Sequence, residues 1–394
     1  MQPHVSSMPR AALQDAPAAW GAVFALALAA FALVASEFMP VSLLTPIAAD
    51  LRISEGQAGQ AIAVSGAFAL ATSLVVARLA GRLDRKILLL GLTLTMIASG
   101  TIAAFAPNYA VFMAGRACIG VAIGGFWSMS AATAMRLVPA HLVPRALAIV
   151  NGGNALATVV AAPAGSLLGA LVGWRGAFFC VVPVAAVAFA WKFVSLPRLP
   201  AAPGARSGGV FALLKRPAVA YGMAAVSLFF MGQFALFTYL RPFLETVTHV
   251  SVNALTGMLL AIGVAGFIGT TAIGAFLDNH LYRTLIAIPL VMAVLAVALV
   301  AWGGSAPVVA VLLAAWGLVG TAAPVGWWTW LARTLPHDAE AGGGLIVAVV
   351  QLAIGLGATL GGVLFDAFGY RATFGLGAAL LVVAAVLAGK AARA

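Results

Sequence analysis

Residues 173–178 read Gly-Trp-Arg-Gly-Ala-Phe, and residues 369–374, which lie 196 positions later, read Gly-Tyr-Arg-Ala-Thr-Phe. Two other pairs of segments recur in the same order at nearly the same distance. Leu83-Asp84 is matched by Leu277-Asp278 after 194 residues, and Arg136-Leu-Val-Pro139 is matched by Arg333-Thr-Leu-Pro336 after 197 residues. Because recurrence at a fixed distance is the signature of a repeat, the chain is predicted to be an internal duplication.

The composition places both copies of the repeat in a membrane. Hydrophobic residues make up 63% of the 394 residues and charged residues only 8%, whereas a soluble domain carries about 25% charged residues. Apolar segments recur along the chain, and a membrane-spanning helix needs about 20 such residues. The sequence therefore predicts an all-α membrane protein of twelve helices, in two six-helix halves related by pseudo-two-fold symmetry. The predicted helices are residues 20–47, 57–79, 87–106, 109–135, 145–171, 176–196, 217–241, 254–277, 284–303, 307–332, 343–366 and 372–389.

The basic residues set the predicted orientation. The net charge is +11, and basic residues collect on the cytoplasmic side of membrane proteins, so this excess needs no nucleic acid partner. Sixteen Arg and Lys residues fall on the side of both termini, against four on the other side, which are Arg52, Arg175, Arg241 and Arg371. We expect a cytoplasmic tail at 1–19, bundles at 20–196 and 217–390, and a cytoplasmic linker at 197–216, which is rich in Pro, Gly and Ser.

Two ionisable residues are predicted to lie deep inside membrane helices. Glu37 falls about 10 residues before the end of the first helix and Arg116 about 7 residues after the start of the fourth, so their depths agree to roughly 5 Å. An unpaired charge in the membrane is costly, and we therefore expect the two to pair. A carboxylate at this depth can take a proton from one side and release it to the other. The alternative is a permanent ion pair that fastens the two helices.

Several polar and aromatic residues are candidates for a substrate cavity. Amides offer both donors and acceptors to a hydrogen-bonding solute, and aromatic rings offer stacking surfaces. The same amides can instead join helices, and Trp can instead mark the membrane interface. Asn154 and Gln351 occupy matching positions of the repeat, 197 residues apart. The predicted cavity residues are Phe126, Trp127, Asn151, Asn154, Gln233, Phe237, Trp327, Trp330 and Gln351.

Three segments carry a resemblance to a known family. They are Gly81-Arg-Leu-Asp84-Arg85-Lys86, the Gly-rich helix Gly115-Arg116 to Gly124-Gly125, and Ala162-Pro163-Ala-Gly165. These segments resemble motifs of the major facilitator superfamily, in particular of its proton-coupled drug antiporters. The resemblance implies a conformational latch at Asp84, Arg85 and Asp278, although for Arg85 a solvated loop charge that sets topology is the favoured interpretation.

Longer strings indicate the transported substrate. Residues 37–46, 125–130, 232–242 and 324–330 resemble the purine ribonucleoside exporters of that superfamily. This implies a monomeric secondary transporter in the bacterial inner membrane, which exports inosine, guanosine, adenosine or their analogues by proton antiport with alternating access. An exporter of sugars or amphipathic drugs is the alternative, and a non-transporting receptor or membrane enzyme is a remote one. We expect no cofactor or metal and no enzymatic activity, because the chain has no P-loop signature, zinc spacing or catalytic triad.

Overall fold

The computed structural model describes residues 18–79, 83–200, 210–335 and 339–394. Most of these residues are helical, and the long helices number twelve within the described ranges. The first four are α1 (Trp20–Leu51), α2 (Glu55–Leu79), α3 (Arg85–Ala104) and α4 (Tyr109–Arg136). The continuous stretch Val143–Ser195 contains α5 (143–172) and α6 (174–195). The last six are α7 (Pro217–Thr246), α8 (Val252–Ala272), α9 (His280–Trp302), α10 (Ala306–Thr334), α11 (Ala339–Phe368) and α12 (Tyr370–Ala391).

These helices are long enough to cross a membrane. Ten stretches among the described residues combine the necessary length and hydropathy. One of them, Arg145–Ser195, has 51 residues and would extend about 77 Å if it were straight, more than twice the roughly 30 Å hydrocarbon core. It therefore makes two crossings, and α2, with 25 residues, completes the set. The predicted all-α membrane fold is confirmed.

The repeated hexapeptide is the turn between the last two helices of each half. Gly173 has φ 75° and ψ 166°, and Gly369 has φ 76° and ψ −176°. This backbone conformation is essentially restricted to glycine because a Cβ atom would clash. A single glycine makes each turn, so α6 begins at 174 and α12 at Tyr370, two residues earlier than the sequence predicts.

The buried apolar side chains form two clusters. One cluster is built from α1 to α6 and includes Tyr239 of α7. The other is built mainly from α7 to α12 and includes Val41, Ile62 and Ala162 of the first half. The halves meet where α1 packs on α7, α2 on α11 and α5 on α8. The exact bundle boundaries stay a prediction.

The two halves are joined at one end of the molecule. We call the end with the α1–α2 and α11–α12 turns the distal end, and the opposite one the terminal end. Side-chain hydrogen bonds join the halves at the level of Glu37 and nearer the distal end. These bonds join Glu37 to Gln351, Ser42 to Arg241, Ser54 and Gly56 to Asp366, Gln60 to Thr359, and Ser166 to Thr256. The structure is therefore a conformation closed at the distal end.

Candidate functional site

Two prolines interrupt the hydrogen bonding of α1 around Glu37. Pro40 and Pro46 lie inside the helix and have no N–H to donate to the carbonyl four residues earlier. The carbonyls of Ser36 and Ser42 therefore lose their helical donors. Both serines are buried, and a buried carbonyl needs a hydrogen-bond donor. The sequence of α1 thus leaves two main-chain acceptors free, one before Glu37 in the chain and one after it.

Arg116 supplies the donor for the first of these carbonyls. Its side chain is completely buried, and its Nη1 donates to the Ser36 carbonyl at 2.9 Å. Nη2 donates to the Glu37 carbonyl at 3.2 Å and to Ser65 Oγ at 3.4 Å, while Nε donates to the Ala61 carbonyl at 3.3 Å. Arg116 therefore ties α4 to the main chain of α1 and α2.

The predicted ion pair between Glu37 and Arg116 is not formed in this structure. The predicted match in depth is correct, because the guanidinium reaches the main chain of Glu37 itself. Salt bridges do form elsewhere in the described part of the chain, for example Arg175–Asp50 and Arg241–Glu245, but none joins Glu37 to Arg116. The physical reason is Pro40, since the carbonyl that it frees takes up the guanidinium. The carboxylate is left without a cation bonded to it.

The Glu37 carboxylate faces the second half instead. Gln351 Nε2 of α11 donates to Glu37 Oε1 at 3.5 Å, a long hydrogen bond between two side chains that are each 8% exposed. The Oε1 atom of Gln351 is buried and accepts no hydrogen bond from the described residues. Glu37 and Gln351 therefore form a polar contact across the two halves, and the Gln351 Oε1 atom can accept a further hydrogen bond.

The repeat brings Phe234 of α7 against Phe38, the chain neighbour of Glu37. Gln233 and Phe234 of α7 follow Glu37 and Phe38 of α1 by 196 residues. The rings of Phe38 and Phe234 stack at 5.8 Å with an interplanar angle of 25°. Gln233 also has a buried Oε1 without a described donor, and Phe237 packs edge-on against Phe234 at 5.9 Å. The pseudo-two-fold axis thus passes between Phe38 and Phe234. Aligning the two strings would have revealed Phe38, which the sequence analysis missed.

The predicted aromatic surfaces do not all share this location. Phe126 is buried and meets half-buried Trp127 edge-on at 5.4 Å. Trp327 and Trp330 are 2% and 0% exposed and lie in the apolar core of the second half. A Cβ atom on Gly222 would fall within 2.7 Å of the Trp330 ring, so α7 covers that ring. In this conformation neither Trp offers a free stacking face, because the second half packs around both. Trp127 is the predicted Trp that stays accessible.

The predicted asparagines lie on α5. Asn151 is exposed and its Nδ2 donates to the Leu147 carbonyl of its own helix at 3.0 Å. Asn154 is half-buried one turn further on. Both are nearer the terminal end than the Glu37–Gln351 contact, since Gly153 of the same helix packs on Ala27 of α1. Their predicted role in a cavity stays a prediction.

Comparison with known proteins identifies the family. Residues 26–358 match the Major Facilitator Superfamily. The chain belongs to this superfamily. This superfamily member is 64% identical over 374 residues to the transcription regulatory protein OpdE of Pseudomonas aeruginosa, covering 93% of this chain and 92% of OpdE. It is 42% identical over 372 residues to the purine ribonucleoside efflux pump NepI of Salmonella paratyphi B, covering 94% of each.

Solved structures agree on the fold. A bacterial homologue of the human lysosomal transporter Spinster, in an inward-facing and unoccupied conformation, superposes with a TM-score of 0.81 at 16% identity, covering 96% of this chain and 97% of that one. The human organic anion transporter MFSD10 gives a TM-score of 0.66 at 18% identity, covering 97% and 100%. The superfamily member is therefore a multi-pass membrane protein with the fold of these transporters.

The predicted latch residues have other partners in this superfamily member. Asp84 accepts from the main-chain N–H of Lys86 at 2.7 Å and so caps α3. Its oxygens also accept from the Leu199 N–H at 3.1 Å, and Arg85 N donates to the Leu199 carbonyl at 2.9 Å. Asp84 thus holds the start of the linker against the first half. The side chain of Asp278 lies outside the described residues, and the latch stays a prediction.

Two buried cations escaped the sequence analysis. Lys192 is one of the sixteen basic residues predicted on the side of both termini, but it is 1% exposed and donates to Thr93 Oγ1 and, at 3.5 Å, to the Leu89 carbonyl. Its Nζ also lies 5.9 Å from the centre of the Phe126 ring. Arg241 is 8% exposed in α7 rather than in an aqueous loop. Hydropathy cannot reveal either burial, because each residue lies within a few positions of a helix end.

Proposed function

We propose that this superfamily member exports purine ribonucleosides such as inosine, guanosine and adenosine in exchange for protons. The observation that carries the proposal is the Glu37 carboxylate, which is buried in α1 and faces Gln351 of the other half without a cation bonded to it. An acid inside a membrane helix is by default a functional group. The efflux pump NepI, which is similar over 94% of the chain, supports the choice of substrate.

The surroundings of Glu37 suit proton exchange coupled to substrate. A carboxylate that already has a bonded guanidinium would resist protonation, but here Arg116 is engaged by main-chain carbonyls. The amides of Gln233 and Gln351 have unused acceptor oxygens, which can receive hydrogen bonds from ribose hydroxyls or base N–H groups. The proton-bound and the substrate-bound site would then be alternative states, so that proton uptake at Glu37 accompanies substrate release.

Export in this mechanism requires a particular orientation. We propose that the terminal end faces the cytoplasm and the distal end faces the outside of a bacterial inner membrane, in keeping with the excess of basic residues on the terminal side. The conformation closed at the distal end is then the one that loads substrate from the cytoplasm. A monomer holds all of the proposed site residues.

A regulatory role is the second candidate, because OpdE, which is 64% identical, is named a transcription regulatory protein. A receptor that does not transport would need the Glu37 site only for sensing. Transport by the purified protein separates the two ideas, since a receptor would not accumulate solute in vesicles. Sugars tested in the same vesicles address the remaining exporter alternative.

The direct test is transport into proteoliposomes with and without an imposed pH gradient. Glu37→Gln mimics a permanently protonated acid, so we expect inosine exchange to persist while pH-driven accumulation is lost. Glu55→Gln, which changes an acid in the first turn of α2, is the matched control and should accumulate inosine as the unmodified protein does. Accumulation by Glu37→Gln at the control rate would refute proton coupling at Glu37. Absence of any nucleoside exchange by the unmodified protein would refute the substrate.

A further inference from the structure

Arg241 of α7 forms a hydrogen bond to the main chain of α1 in the other half. Its Nη1 donates to the carbonyl of Ser42, the acceptor that Pro46 leaves without a helical donor. Its Nε donates to Glu245 Oε1 at 2.8 Å, one turn further along the same helix. The Arg241 guanidinium therefore has its counter-ion, Glu245, within its own half, and it makes an additional hydrogen bond to the opposite half.

Asp366 of α11 forms hydrogen bonds to the start of α2, again across the two halves. Its Oδ1 accepts from the main-chain N–H of Gly56 at 2.9 Å, and its Oδ2 accepts from Ser54 Oγ at 2.5 Å. The N–H groups in the first turn of a helix have no partner within the helix, and a negative charge is favourable there. The Asp366 carboxylate of the second half thus caps the N-terminus of α2 in the first half.

The close approach at Asp366 depends on glycine. A Cβ atom on Gly56 would fall within 2.8 Å of the Gly362 carbonyl and would also overlap Asp366. Gly362 in turn lies against the Tyr239 hydroxyl. The first turn of α2 and the last turns of α11 therefore fit together without intervening side chains, and this close fit places the exposed Asp366 carboxylate directly over the Gly56 N–H.

We propose that Arg241 and Asp366 form a distal lock, which holds the two halves closed at this end and must release during each transport cycle. This rests on the alternating access of the proposed function. Both charged groups bind main-chain or hydroxyl groups across the interface, so opening the lock separates no pair of opposite charges. On opening, Arg241 keeps Glu245 and the exposed Asp366 exchanges its two bonds for further water, so the closed state can be released without leaving a buried charge unpaired. The neutral Gln60–Thr359 and Ser166–Thr256 bonds lie in the same interface.

The lock is tested by measuring the width of the distal end directly. Spin labels are placed at Ala110→Cys of α4 and Asn253→Cys of α8, two exposed distal positions, after the native Cys118 and Cys180 have been replaced by Ala. Pulsed electron spin resonance on the full protein in lipid nanodiscs, without substrate, gives the distance distribution. We expect Arg241→Met, which loses one cross-half hydrogen bond to a charged group, to raise the ratio of open to closed populations about tenfold. We expect a similar rise in Asp366→Ala, which loses two such bonds at an exposed site.

Two further variants keep the test valid if those proteins fold poorly. Pro46→Ala returns an N–H to the Ser42 carbonyl and competes with Arg241, so it should shift the distances in the same direction. Arg175→Met is the matched control, because Arg175 binds Asp50 and the Ala106 carbonyl within the first half, and it should shift nothing. Unchanged distances in Arg241→Met, Asp366→Ala and Pro46→Ala, or an equal shift in Arg175→Met, would overturn the lock. Since no substrate is used, a failure of the nucleoside assignment leaves this result unaffected.

Discussion

Arg116→Met tests whether Arg116 acts on the main chain of α1 rather than on the Glu37 carboxylate. The substitution keeps an unbranched side chain and removes all four hydrogen bonds from the guanidinium. The Ser36 carbonyl is then left without a donor, because Pro40 prevents the normal helical bond. If Arg116 were instead the ion-pair partner of Glu37, its removal would also destabilise the protein by leaving a buried carboxylate unpaired, but that loss would not depend on Pro40.

The magnitude follows from the lengths of the four bonds. Those to the Ser36 and Glu37 carbonyls, at 2.9 and 3.2 Å, have ordinary lengths, while those to Ala61 and Ser65, at 3.3 and 3.4 Å, are weaker. A hydrogen bond from a charged donor contributes about 1.5–3 kcal/mol, so the two stronger bonds together contribute about 3–6 kcal/mol. Removing a buried cation also removes its desolvation cost, and we therefore expect a net loss near the lower value, about 3 kcal/mol.

The assay measures the melting temperature of the purified protein in detergent. Chromatographic elution of each variant checks separately that it is folded. The matched control is Lys192→Met, which removes the other nearly inaccessible cation. Its ammonium has Thr93 Oγ1 and a 3.5 Å contact to the Leu89 carbonyl but no proline-freed acceptor, so the change should stay within about 1 kcal/mol.

A double-mutant cycle isolates the bond to the Ser36 carbonyl. Pro40→Ala returns an N–H to that carbonyl, so Arg116→Met should cost less in the Pro40→Ala background than in the native one. Equal melting temperatures for Arg116→Met and the unmodified protein would refute the main-chain role. So would a loss in Lys192→Met as large as that in Arg116→Met.

The remaining predictions concern the turn glycine, the base and the direction of transport. Gly369→Ala forces a Cβ into the φ 76° turn and should destabilise the protein by about 1–3 kcal/mol, whereas Gly375→Ala, where a Cβ meets open space in α12, should melt at or above the native temperature. Trp127→Ala should weaken the apparent affinity for inosine by about 1–3 kcal/mol at an unchanged protein level. The control Trp302→Ala, a change at an exposed span end, should leave the affinity unchanged. Equal affinities in both variants would show that Trp127 only packs and does not stack on the base. Overexpression should lower cellular accumulation of labelled inosine and raise its appearance in the medium, and faster accumulation would contradict export.

The sequence by itself determined the architecture of this protein. Apolar runs of membrane-crossing length and a motif recurring after 196 residues predict the helices and their duplication, because both are properties of contiguous residues. Gly173 and Gly369 show why this works, since each fixes a local turn that only glycine permits. The shared depth of Glu37 and Arg116 was predictable for the same reason, as helical rise converts sequence position into depth.

Only the tertiary structure decided which groups these side chains bind. Whether Arg116 meets the Glu37 carboxylate or its carbonyl depends on how α4 rotates against α1, and the acceptor freed by Pro40 settles this contact. The inward turn of Lys192, the cover over Trp330 and the reach of Asp366 to Gly56 likewise depend on neighbours that are distant in the chain, by 99 residues for the Lys192–Thr93 bond and by 310 for the Gly56–Asp366 bond. Hydropathy records how apolar a segment is, and it carries no information on which face of a helix meets which partner. That choice is made by packing and by the need of each buried polar group for a partner, which exist only once the helices have assembled.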